Sequence, residues 1–320
     1  MMENVLVTGG TGMVGSAIKY VLTELDDGNN YYFISSKNYD LRDIKAVDKC
    51  FNERKYHKII HLACRVGGLY KNMQNNLEML TDNLKINLNV LECCNKYNIE
   101  KGIFCLSSCI YPENPSKFPM EETQLCEGAP HSSNEGYAYA KRMLYIMCKH
   151  YNNQYDRQYI CLSPVNLYGF NDNFNINDGH VIPSLINRMY KTKNNIYPYD
   201  LDKFEVYGSG IAQRQFLFSY DFARIILLFL YNNEITNGIF NICESIEYTI
   251  TDVITIISQI LKYDENKIQY NTTYSDGILK KTISDNKFKE MYPNFLYTDF
   301  YKGLYLTLDW FQNNTDIIRE

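Results

Sequence analysis

The sequence predicts an α/β fold built on a doubly wound parallel sheet, and three features of the chain predict it. Short apolar runs alternate with segments whose apolar residues recur at helical spacing, beginning with Val5-Leu6-Val7. A glycine-rich loop joins that first run to the first helical segment. After Gly169 the chain becomes rich in Asn and aromatic residues. Strands separated by helices indicate parallel βαβ units, and the later change in texture indicates a smaller, discontinuous α/β domain.

The individual elements are assigned from their periodicity. Strands are predicted, in chain order, at residues 5–7, 31–35, 58–64, 101–108 and 159–164. Helices are predicted at residues 14–25, 77–97, 137–151 and 182–191. Residues 216–231 again combine a strand and a helix, so we expect the chain to return there to the first domain. Residues 245–315 are expected to form a smaller mixed part.

The composition excludes several classes of function. The chain has 320 residues, which suits one large or two modest domains, and an ordinary balance of 45% hydrophobic and 22% charged residues. A net charge of -5 provides no basic field for nucleic acid or an anionic membrane, and no apolar run reaches the ~18 residues of a membrane span. The ten cysteines lack the spacing of zinc ligands, and several lie in apolar runs. With no secretory signal pattern, we expect a cytoplasmic protein with reduced thiols and no metal site.

The loop between the first strand and the first helix predicts a dinucleotide site. It consists of Gly9, Gly10, Thr11, Gly12, Met13, Val14 and Gly15. Glycines three residues apart allow a tight turn, a close approach of the backbone to a pyrophosphate, and close packing of helix on strand. The helix N-terminus then offers unpaired N–H groups to the phosphates. We therefore expect a Rossmann-type domain at residues 1–169 and 213–243 that binds the dinucleotide, and a substrate domain at residues 170–212 and 244–320.

The end of the second predicted strand indicates which dinucleotide is bound. An acidic residue there would bind the adenosine ribose diol and repel a 2′-phosphate. The chain instead has Ser35, Ser36 and Lys37, two hydroxyls and a cation that suit a phosphate, so NADP(H) is the predicted cofactor. Lys37 as a solvated surface lysine is the alternative. Asp40 and Leu41 follow, and Asp40 is expected to meet the adenine or to cap a turn.

Two residues of the helix at 137–151 predict proton transfer. Tyr137 and Lys141 are four residues apart, so their side chains share one helix face. A tyrosine titrates near ~10 unaided, and we expect the nearby ammonium to favour its phenolate. Such a tyrosine can exchange a proton with a carbonyl oxygen during hydride transfer. Pairs at this spacing also arise by chance in a chain with 29 tyrosines, so the position after the glycine loop supports the assignment.

Ser107 and Cys109 are candidate site residues at the end of the strand at 101–108. Ligands bind beyond the carboxyl ends of strands in open α/β sheets, where the Ser107 hydroxyl would bond a substrate oxygen opposite Tyr137. Because side chains alternate along a strand, Cys109 is expected to point the same way as Ser107. The alternatives are a turn bond for Ser107 and simple packing for Cys109.

Taken together, these motifs resemble the GDP-L-fucose synthases, within the extended short-chain dehydrogenase/reductases. The matching stretches span nearly the whole chain, and they are the glycine loop, the Tyr137/Lys141 pair, Val66-Gly67-Gly68, Ser107-Ser108-Cys109-Ile110-Tyr111-Pro112, Asn166-Leu167-Tyr168-Gly169, Asp172-Asn173-Phe174, Gly179-His180-Val181-Ile182-Pro183, Tyr207-Gly208-Ser209-Gly210, Arg214-Gln215-Phe216 and Ser275-Asp276-Gly277. The glycine loop and the Tyr/Lys pair are shared by the whole superfamily. The Ser-Ser-Cys-Ile-Tyr-Pro run and the stretch at 172–183 are typical of this family alone.

The resemblance implies two reactions in one site. GDP-4-keto-6-deoxy-D-mannose would be epimerised at C3 and C5, and NADPH would then reduce its C4 ketone to give GDP-L-fucose. The ketone acidifies both neighbouring C–H bonds, and Ser107 and Tyr137 would stabilise the enolate. Cys109 and His180 match the base and acid of the epimerisation, since both side chains exchange protons near neutrality. Lys141 would orient the nicotinamide ribose and support Tyr137.

By the same resemblance, further residues hold the two ligands. The nicotinamide end of the cofactor would be contacted by Pro164, Val165, Asn166, Leu167 and His180. The substrate would be bound by Arg188, Tyr207, Arg214 and Asp276, with the guanidinium groups suited to a diphosphate. The chain departs from the family pattern at two positions. Thr11 stands where some members have a basic residue, and Tyr207 where many members have tryptophan.

Two other functions stay open on the sequence alone. A nucleotide-sugar 4-epimerase or 4,6-dehydratase of the superfamily would retain a bound NAD, and Cys109 with His180 argues against it. A non-catalytic NADP-sensing module would be expected to lose Tyr137 or Lys141, and both are present. The superfamily also implies a homodimer that packs through the helices at 77–97 and 137–151.

Overall fold

The computed structural model describes residues 2–25, 27–196, 198, 203–274 and 276–318, the side chains of residues 69 and 70 apart. Ser275 of the 275–277 motif lies outside the described residues. The helices are α1 (Met13–Glu24), α2 (Ile44–Asn52), α3 (Leu69–Gln74), α4 (Asn76–Lys96), α5 (Glu135–Tyr155), α6 (Val181–Lys193), α7 (Ser219–Tyr231), α8 (Ile250–Leu261), α9 (Asn286–Met291) and α10 (Phe300–Asn313). The strands are β1 (Asn4–Thr8), β2 (Asn30–Ile34), β3 (Lys58–His61), β4 (Lys101–Cys105), β5 (Gln158–Pro164), β6 (Asn166–Tyr168), β7 (Phe204–Tyr207), β8 (Gln213–Arg214), β9 (Phe216–Phe218), β10 (Gly238–Ile242), β11 (Tyr248–Thr249), β12 (Ile268–Asn271) and β13 (Lys280–Lys281).

Six of these strands form one parallel sheet in the order β10-β5-β4-β3-β1-β2. The chain leaves β1 toward β2 on one side and returns to β3 on the other, so the order reverses beside β1. Ligands of such sheets bind at this reversal, outside the carboxyl ends of the strands. The predicted α/β fold with a doubly wound parallel sheet is confirmed.

The sheet forms because its strands are apolar on both faces. Val5, Leu6 and Val7 are fully buried, as are Ile59 and Ile60 of the neighbouring strand. Strands buried on both faces are typical of parallel sheets covered by helices, and each fully buried aliphatic side chain contributes ~1.5–3 kcal/mol. The covering helices include α1, which packs against α7, and α4, which packs against α5. This core fixes the edge at which the loops after β1, β3, β4 and β5 meet.

A second hydrophobic cluster lies around α6, α8 and α10. It joins Phe174 and Ile186 to Ile254 and Phe311, so it is built largely from chain segments after Gly169. Some later residues pack elsewhere: Ile283 and Phe288 belong to the core of the large sheet. The division into residues 1–169 and 213–243 against 170–212 and 244–320 stays a proposal.

The predicted limits of two strands are wrong. β4 ends at Cys105 instead of residue 108, and β3 ends at His61 instead of residue 64. After β4 the chain leaves the sheet and forms a short 3₁₀ helix at Ser108–Ile110. None of the helices within the described ranges is long and apolar enough to cross a membrane.

Candidate active site

The candidate site lies at the carboxyl edge of the sheet, where four loops meet. The glycine loop follows β1, and the loop with Cys64 follows β3. Ser107 comes two residues after β4, and Val165 directly follows β5. Parallel pairing brings these points together, because Thr8 is opposite His61 and Cys105 is opposite Leu162 in the sheet register. The register therefore gathers sequence motifs that lie far apart along the chain.

The glycine loop fits the phosphates of a dinucleotide. Gly12 is the N-cap of α1, and no side chain caps that helix end. A side chain at Gly15 would bring its Cβ within 2.7 Å of the Gly10 Cα, so only glycine permits this close packing of helix on loop. Thr11 beside them is exposed. An uncapped, accessible helix N-terminus is a favourable place for a phosphate anion.

The end of β2 fits a 2′-phosphorylated adenosine. Ser36 and Lys37 follow it and are exposed. Asp40 is held by Arg42, whose Nε and Nη2 donate to the carboxylate oxygens at 2.9 and 2.8 Å. These hydrogen bonds from Arg42 lower the pKa of Asp40 to about 2. Asp40 also accepts the Arg42 backbone N–H, so it caps a turn, as one of the two predictions for it stated. Leu41 is buried next to it.

Tyr137 and Lys141 are both buried on one face of α5. The Lys141 ammonium lies 5.7 Å from the centre of the Tyr137 ring and donates to the Cys105 carbonyl at 2.6 Å. Burial, followed by the nearby thiols of Cys64 and Cys109, raises the pKa of Tyr137 well above its usual value. The resting pKa of Tyr137 is therefore set mainly by burial, and the expected effect of Lys141 on the phenolate stays a prediction. Burial thus favours the protonated form of the Tyr137 phenol.

Cys109 lies beside Tyr137 and is hydrogen-bonded to Ser107, although not for the predicted reason. Ser107 is the N-cap of the 3₁₀ helix, and its hydroxyl accepts the Cys109 backbone N–H at 3.4 Å. The alternation argument is wrong because residues 108–110 are helical, not extended. It is this turn that places the Cys109 side chain in a small cluster with Tyr137, Ala138 and Met79. The Ser107 hydroxyl is therefore bonded to the residue whose side chain packs with Tyr137.

Cys109 has a cationic neighbour that the sequence did not reveal. Burial raises the pKa of the Cys109 thiol, while the ammonium of Lys281 and the Ser107 hydroxyl lower it. Lys281 lies in β13, directly opposite Arg214 of β8 in the sheet register. Burial lowers the pKa of Lys281, whereas Cys109 raises it and Arg214 lowers it further. From the sequence alone, Lys280-Lys281 is typical of a solvated surface pair, and only the pairing of β8 with β13 reveals its position.

Replacing Lys281 with glutamine should make the Cys109 thiol harder to ionise. Since the ammonium favours the thiolate, its loss raises the pKa of Cys109 and leaves less thiolate at neutral pH. We expect slower thiolate-dependent proton exchange at pH 7 and a pH–rate profile displaced to higher pH, with recovery in alkaline buffer. Lys280→Gln is the matched control, because Lys280 pairs with Glu247 at 2.8 Å. Equal profiles for both variants would contradict this assignment.

His180 is the N-cap of α6, at the start of the helix that carries Arg188. His180 is exposed to solvent as a residue, and desolvation by the protein packed around its ring lowers its pKa. The loop before it docks on the glycines after β3, where the Gly68 N–H donates to the Asp178 carbonyl at 2.9 Å. Lys71 and Asp178 add an ion pair at 2.8 Å. The opposed positions of Cys109 and His180 on a substrate stay a prediction.

The residues predicted to hold the nicotinamide end lie at the turn after β5. Pro164 ends β5, the Val165 N–H donates to the Ile242 carbonyl at 3.2 Å, and Asn166 and Leu167 lie in β6. The Asn166 amide donates to the Gln215 carbonyl at 3.0 Å, which fixes its orientation. These positions share the edge with the glycine loop, as a bound dinucleotide requires.

The predicted substrate residues occupy two places. Arg214 is half-buried beside Lys281, and burial lowers its pKa. Arg188 is buried, donates to the Glu205 carbonyl, and lies with its guanidinium 4.3 Å from the centre of the Tyr207 ring. Asp276 accepts from the backbone N–H and the hydroxyl of Ser209, both at 2.7 Å. Arg214 therefore lies beside Lys281, while Arg188 lies in α6, Tyr207 at the end of β7, and Asp276 in the segment after β12.

A buried network that the sequence did not reveal supports the site from within. His61 is fully buried, and its ring nitrogens lie 2.8 Å from the Thr8 hydroxyl and 3.1 Å from the Asn87 carbonyl oxygen. Burial and the Lys141 charge lower the pKa of His61 to about 3. A neutral imidazole thus links β1, β3 and α4 directly behind Lys141, and Asn87 reaches on to the Ala140 carbonyl. The network thus ties α4 and α5 to the first and third strands of the sheet.

Comparison with known proteins places the chain among nucleotide-sugar enzymes. Residues 5–243 match the model of the NAD dependent epimerase/dehydratase family. The GDP-L-fucose synthase of Dictyostelium discoideum is 38% identical over 99% of this chain and 98% of its own length. The chain belongs to the GDP-L-fucose synthase family. A probable GDP-L-fucose synthase of Drosophila melanogaster is 37% identical over the full length of both chains.

A solved structure supports the same assignment. The GDP-L-fucose synthetase of Naegleria fowleri bound to NADP superposes with a TM-score of 0.92 at 37% identity, covering 99% of this chain and 95% of that one. In this chain the glycine loop, the Tyr137/Lys141 pair and the Ser107–Cys109 turn lie at one edge of the sheet.

Proposed function

We propose that the chain converts GDP-4-keto-6-deoxy-D-mannose to GDP-L-fucose, by epimerisation at C3 and C5 followed by NADPH-dependent reduction at C4. The observation that carries this function is the gathering of Ser107, Cys109 and Tyr137 at the edge that also carries the glycine loop. The full-length likeness to GDP-L-fucose synthases supports it. The enzyme is therefore both an isomerase and an oxidoreductase.

The epimerisation needs a base, an acid and a stabilised enolate. The Cys109 thiolate removes a proton from the carbon next to the ketone, and the electron pair of that C–H bond moves onto the ketone oxygen. Ser107 and Tyr137 donate hydrogen bonds to that oxygen, which act most strongly on its developing negative charge. His180 then protonates the opposite face of the carbon. Desolvation lowers the pKa of His180, so its imidazolium is a stronger acid, although a smaller fraction of the side chain is protonated at neutral pH.

The reduction uses the same oxygen as its proton acceptor. Bound NADPH supplies the hydride to C4. Tyr137 gives its proton to the C4 oxygen, which a resting tyrosine can do because burial holds its pKa high and keeps it protonated. The Lys141 ammonium lies close enough to stabilise the phenolate that remains. Tyr137 would thus be a hydrogen-bond donor in the first reaction and a proton donor in the second.

We propose a separate set of residues for each chemical group of the cofactor. The N–H groups at 9–15 would receive the pyrophosphate, while Ser36 and Lys37 would receive the 2′-phosphate. Asp40 and Leu41 would border the adenine, and residues 164–167 with Lys141 and His180 would border the nicotinamide end. Because Thr11 carries no charge, Lys37 is the cation on which the preference for NADP(H) over NAD(H) rests.

The function is tested by following NADPH absorbance with GDP-4-keto-6-deoxy-D-mannose as substrate. We expect one NADPH to be consumed for each sugar nucleotide converted. A 4-epimerase or 4,6-dehydratase would retain NAD and show no net consumption, and an NADP-sensing module would bind NADPH without turnover. If folded protein that binds NADPH leaves the absorbance unchanged in the presence of the substrate, the proposed function is wrong.

We also propose that the enzyme acts in the cytoplasm as a homodimer that packs through α4 and α5. Leu77 and Leu88 of α4 are exposed and eleven residues apart, three helical turns, so they share a face. Tyr139 and Met143 of α5 are exposed one turn apart. A double variant, Leu88→Lys with Met143→Lys, should sediment as a single chain while the wild type sediments as two. A wild type that sediments as one chain at micromolar concentration would contradict the dimer.

A further inference from the structure

The chain folds back on itself directly after β2, which brings Asp40 toward the glycine loop. The Tyr39 N–H donates to the Ser35 carbonyl at 3.1 Å and closes a tight turn. The end of β2 is also joined to the glycine loop, because the Gly10 N–H donates to the Ile34 carbonyl at 2.8 Å. A dinucleotide bound at that loop would place its adenosine ribose at the end of the second strand. Asp40 therefore stands near this ribose, although it comes six residues after the strand.

Arg42 pairs with the Asp40 carboxylate in a two-point geometry. Its Nε donates to Oδ1 at 2.9 Å, and its Nη2 donates to Oδ2 at 2.8 Å. Its backbone N–H donates to Oδ1 as well, at 3.0 Å. The two side chains are 50% and 48% exposed, so the pair faces solvent, where an ion pair adds little to stability. Its main effect is therefore on the charge that this edge presents to a ligand.

Arg42 also reaches a second carboxylate, which does not depend on it. Arg42 Nη1 lies 3.4 Å from Asp82 Oδ2 on α4, whereas Arg65 Nη1, in the loop after β3, lies 2.8 Å from the same oxygen. The four side chains alternate in charge and sum to zero. Without Arg42, Asp82 would keep Arg65, but Asp40 would have no ion-pair partner among the residues that the structure describes.

A carboxylate without a partner at this place would oppose NADP(H). Near the end of the second strand, an acidic residue accepts hydrogen bonds from the ribose diol of NAD and repels a 2′-phosphate. Asp40 is such a residue by position, yet the Arg42 guanidinium balances its charge and occupies both of its oxygens. Lys37, exposed in the turn, then remains as the charge that attracts a phosphate.

We propose that Arg42 is a specificity-determining residue for the cofactor, because its pairing with Asp40 allows a 2′-phosphate to bind beside a carboxylate that would otherwise favour NAD(H). Arg42 acts through Asp40 and makes no contact of its own with the phosphate. The inference rests on the cofactor contacts of the proposed function, which assign the 2′-phosphate to Ser36 and Lys37. It adds to them the residue that makes an aspartate compatible with this phosphate.

The test is the ratio of the dissociation constants for NADPH and NADH, measured by fluorescence titration of the enzyme without sugar nucleotide. Arg42→Gln should weaken NADPH binding by about 5- to 20-fold, as expected for a carboxylate and a phosphate that repel each other near a protein surface, and should not weaken NADH binding. Adding Asp40→Asn to Arg42→Gln should return the ratio to within about twofold of the wild type, because the exposed charge is then gone.

Arg54→Gln is the matched control. Arg54 is also an exposed arginine beside β2, with its guanidinium 3.8 Å from the centre of the Tyr32 ring. It lies at the opposite edge of the sheet, since the next residue, Lys55, accepts a hydrogen bond from Asn4 at the start of β1. Loss of its charge should leave the NADPH/NADH ratio unchanged.

Three results would refute the role of Arg42. The first is an Arg42→Gln enzyme with the wild-type ratio. The second is an equal loss of NADPH and NADH affinity, which would mean that the pair only holds the turn. The third is a double variant as weak as Arg42→Gln alone, which would mean that Arg42 binds the phosphate itself. Because these titrations need no sugar nucleotide, an enzyme that fails to reduce the keto sugar would refute the proposed function and leave this inference standing.

Discussion

The Tyr137→Phe variant should reduce GDP-4-keto-6-deoxy-D-mannose ~100- to 10,000-fold more slowly than the wild type, the range typical of a lost general acid. The phenylalanine keeps the ring that packs with Cys109 and Ala138, so the fold of α5 should be preserved. It removes the only atom of this side chain that can donate to the C4 oxygen. Stopped-flow measurement of NADPH absorbance in a single turnover separates this chemical step from substrate binding and product release.

The control for Tyr137→Phe is Tyr139→Phe, two residues along the same helix. Tyr139 is exposed, so its hydroxyl is remote from the buried Tyr137–Lys141 face. The control should keep wild-type rates, and both variants should bind NADPH as the wild type does. A Tyr137→Phe enzyme with unchanged turnover would require another proton donor and would overturn the assignment.

The second large effect is expected for Cys109→Ser. A serine hydroxyl is far less acidic than a thiol, so the base of the epimerisation is lost while size and packing are nearly kept. Exchange of the C3 and C5 hydrogens with deuterium from solvent should slow by ~100- to 10,000-fold. NADPH affinity should be unchanged, because Cys109 is not among the residues proposed to contact the cofactor. The exchange is measured by proton NMR on the keto sugar with NADP⁺ bound.

Cys64→Ser is the sharpest control for this variant. Cys64 also packs against the cluster that contains Tyr137 and Cys109, and its thiol is close enough to raise the pKa of Tyr137. It is therefore the natural competitor for the role of base. Rapid exchange in Cys109→Ser together with slow exchange in Cys64→Ser would transfer the role to Cys64.

The sequence predicted the local features of this fold well because they have local causes. The strand, glycine loop and helix at the start of the chain follow one another without interruption, so periodicity and the spacing of Gly9, Gly12 and Gly15 identify them. The four-residue spacing of Tyr137 and Lys141 likewise predicted a shared helix face. The sequence could not predict that the Lys141 ammonium donates to the Cys105 carbonyl, because Cys105 lies in β4, far from Lys141 along the chain.

Features that depend on distant pairing were missed or misinterpreted. Lys281 reaches Arg214 and Cys109 through a two-residue strand, too short to leave any periodic pattern in the sequence. Tyr274 meets Tyr207 because β7 and β12 pair across more than sixty residues of chain. Cys109 was expected beside Ser107 through strand alternation, and a 3₁₀ turn places it there instead. Short strands and turns are decided by tertiary contacts, which sequence periodicity does not record.

The most direct test of the proposed two-reaction function is the NMR spectrum of the product made from GDP-4-keto-6-deoxy-D-mannose and NADPH in D₂O. If one site epimerises both carbons before it reduces the ketone, the product is GDP-L-fucose with deuterium at C3 and C5 and protium at C4. A product that is reduced at C4 but keeps protium and the D-manno configuration at C3 and C5 would contradict it.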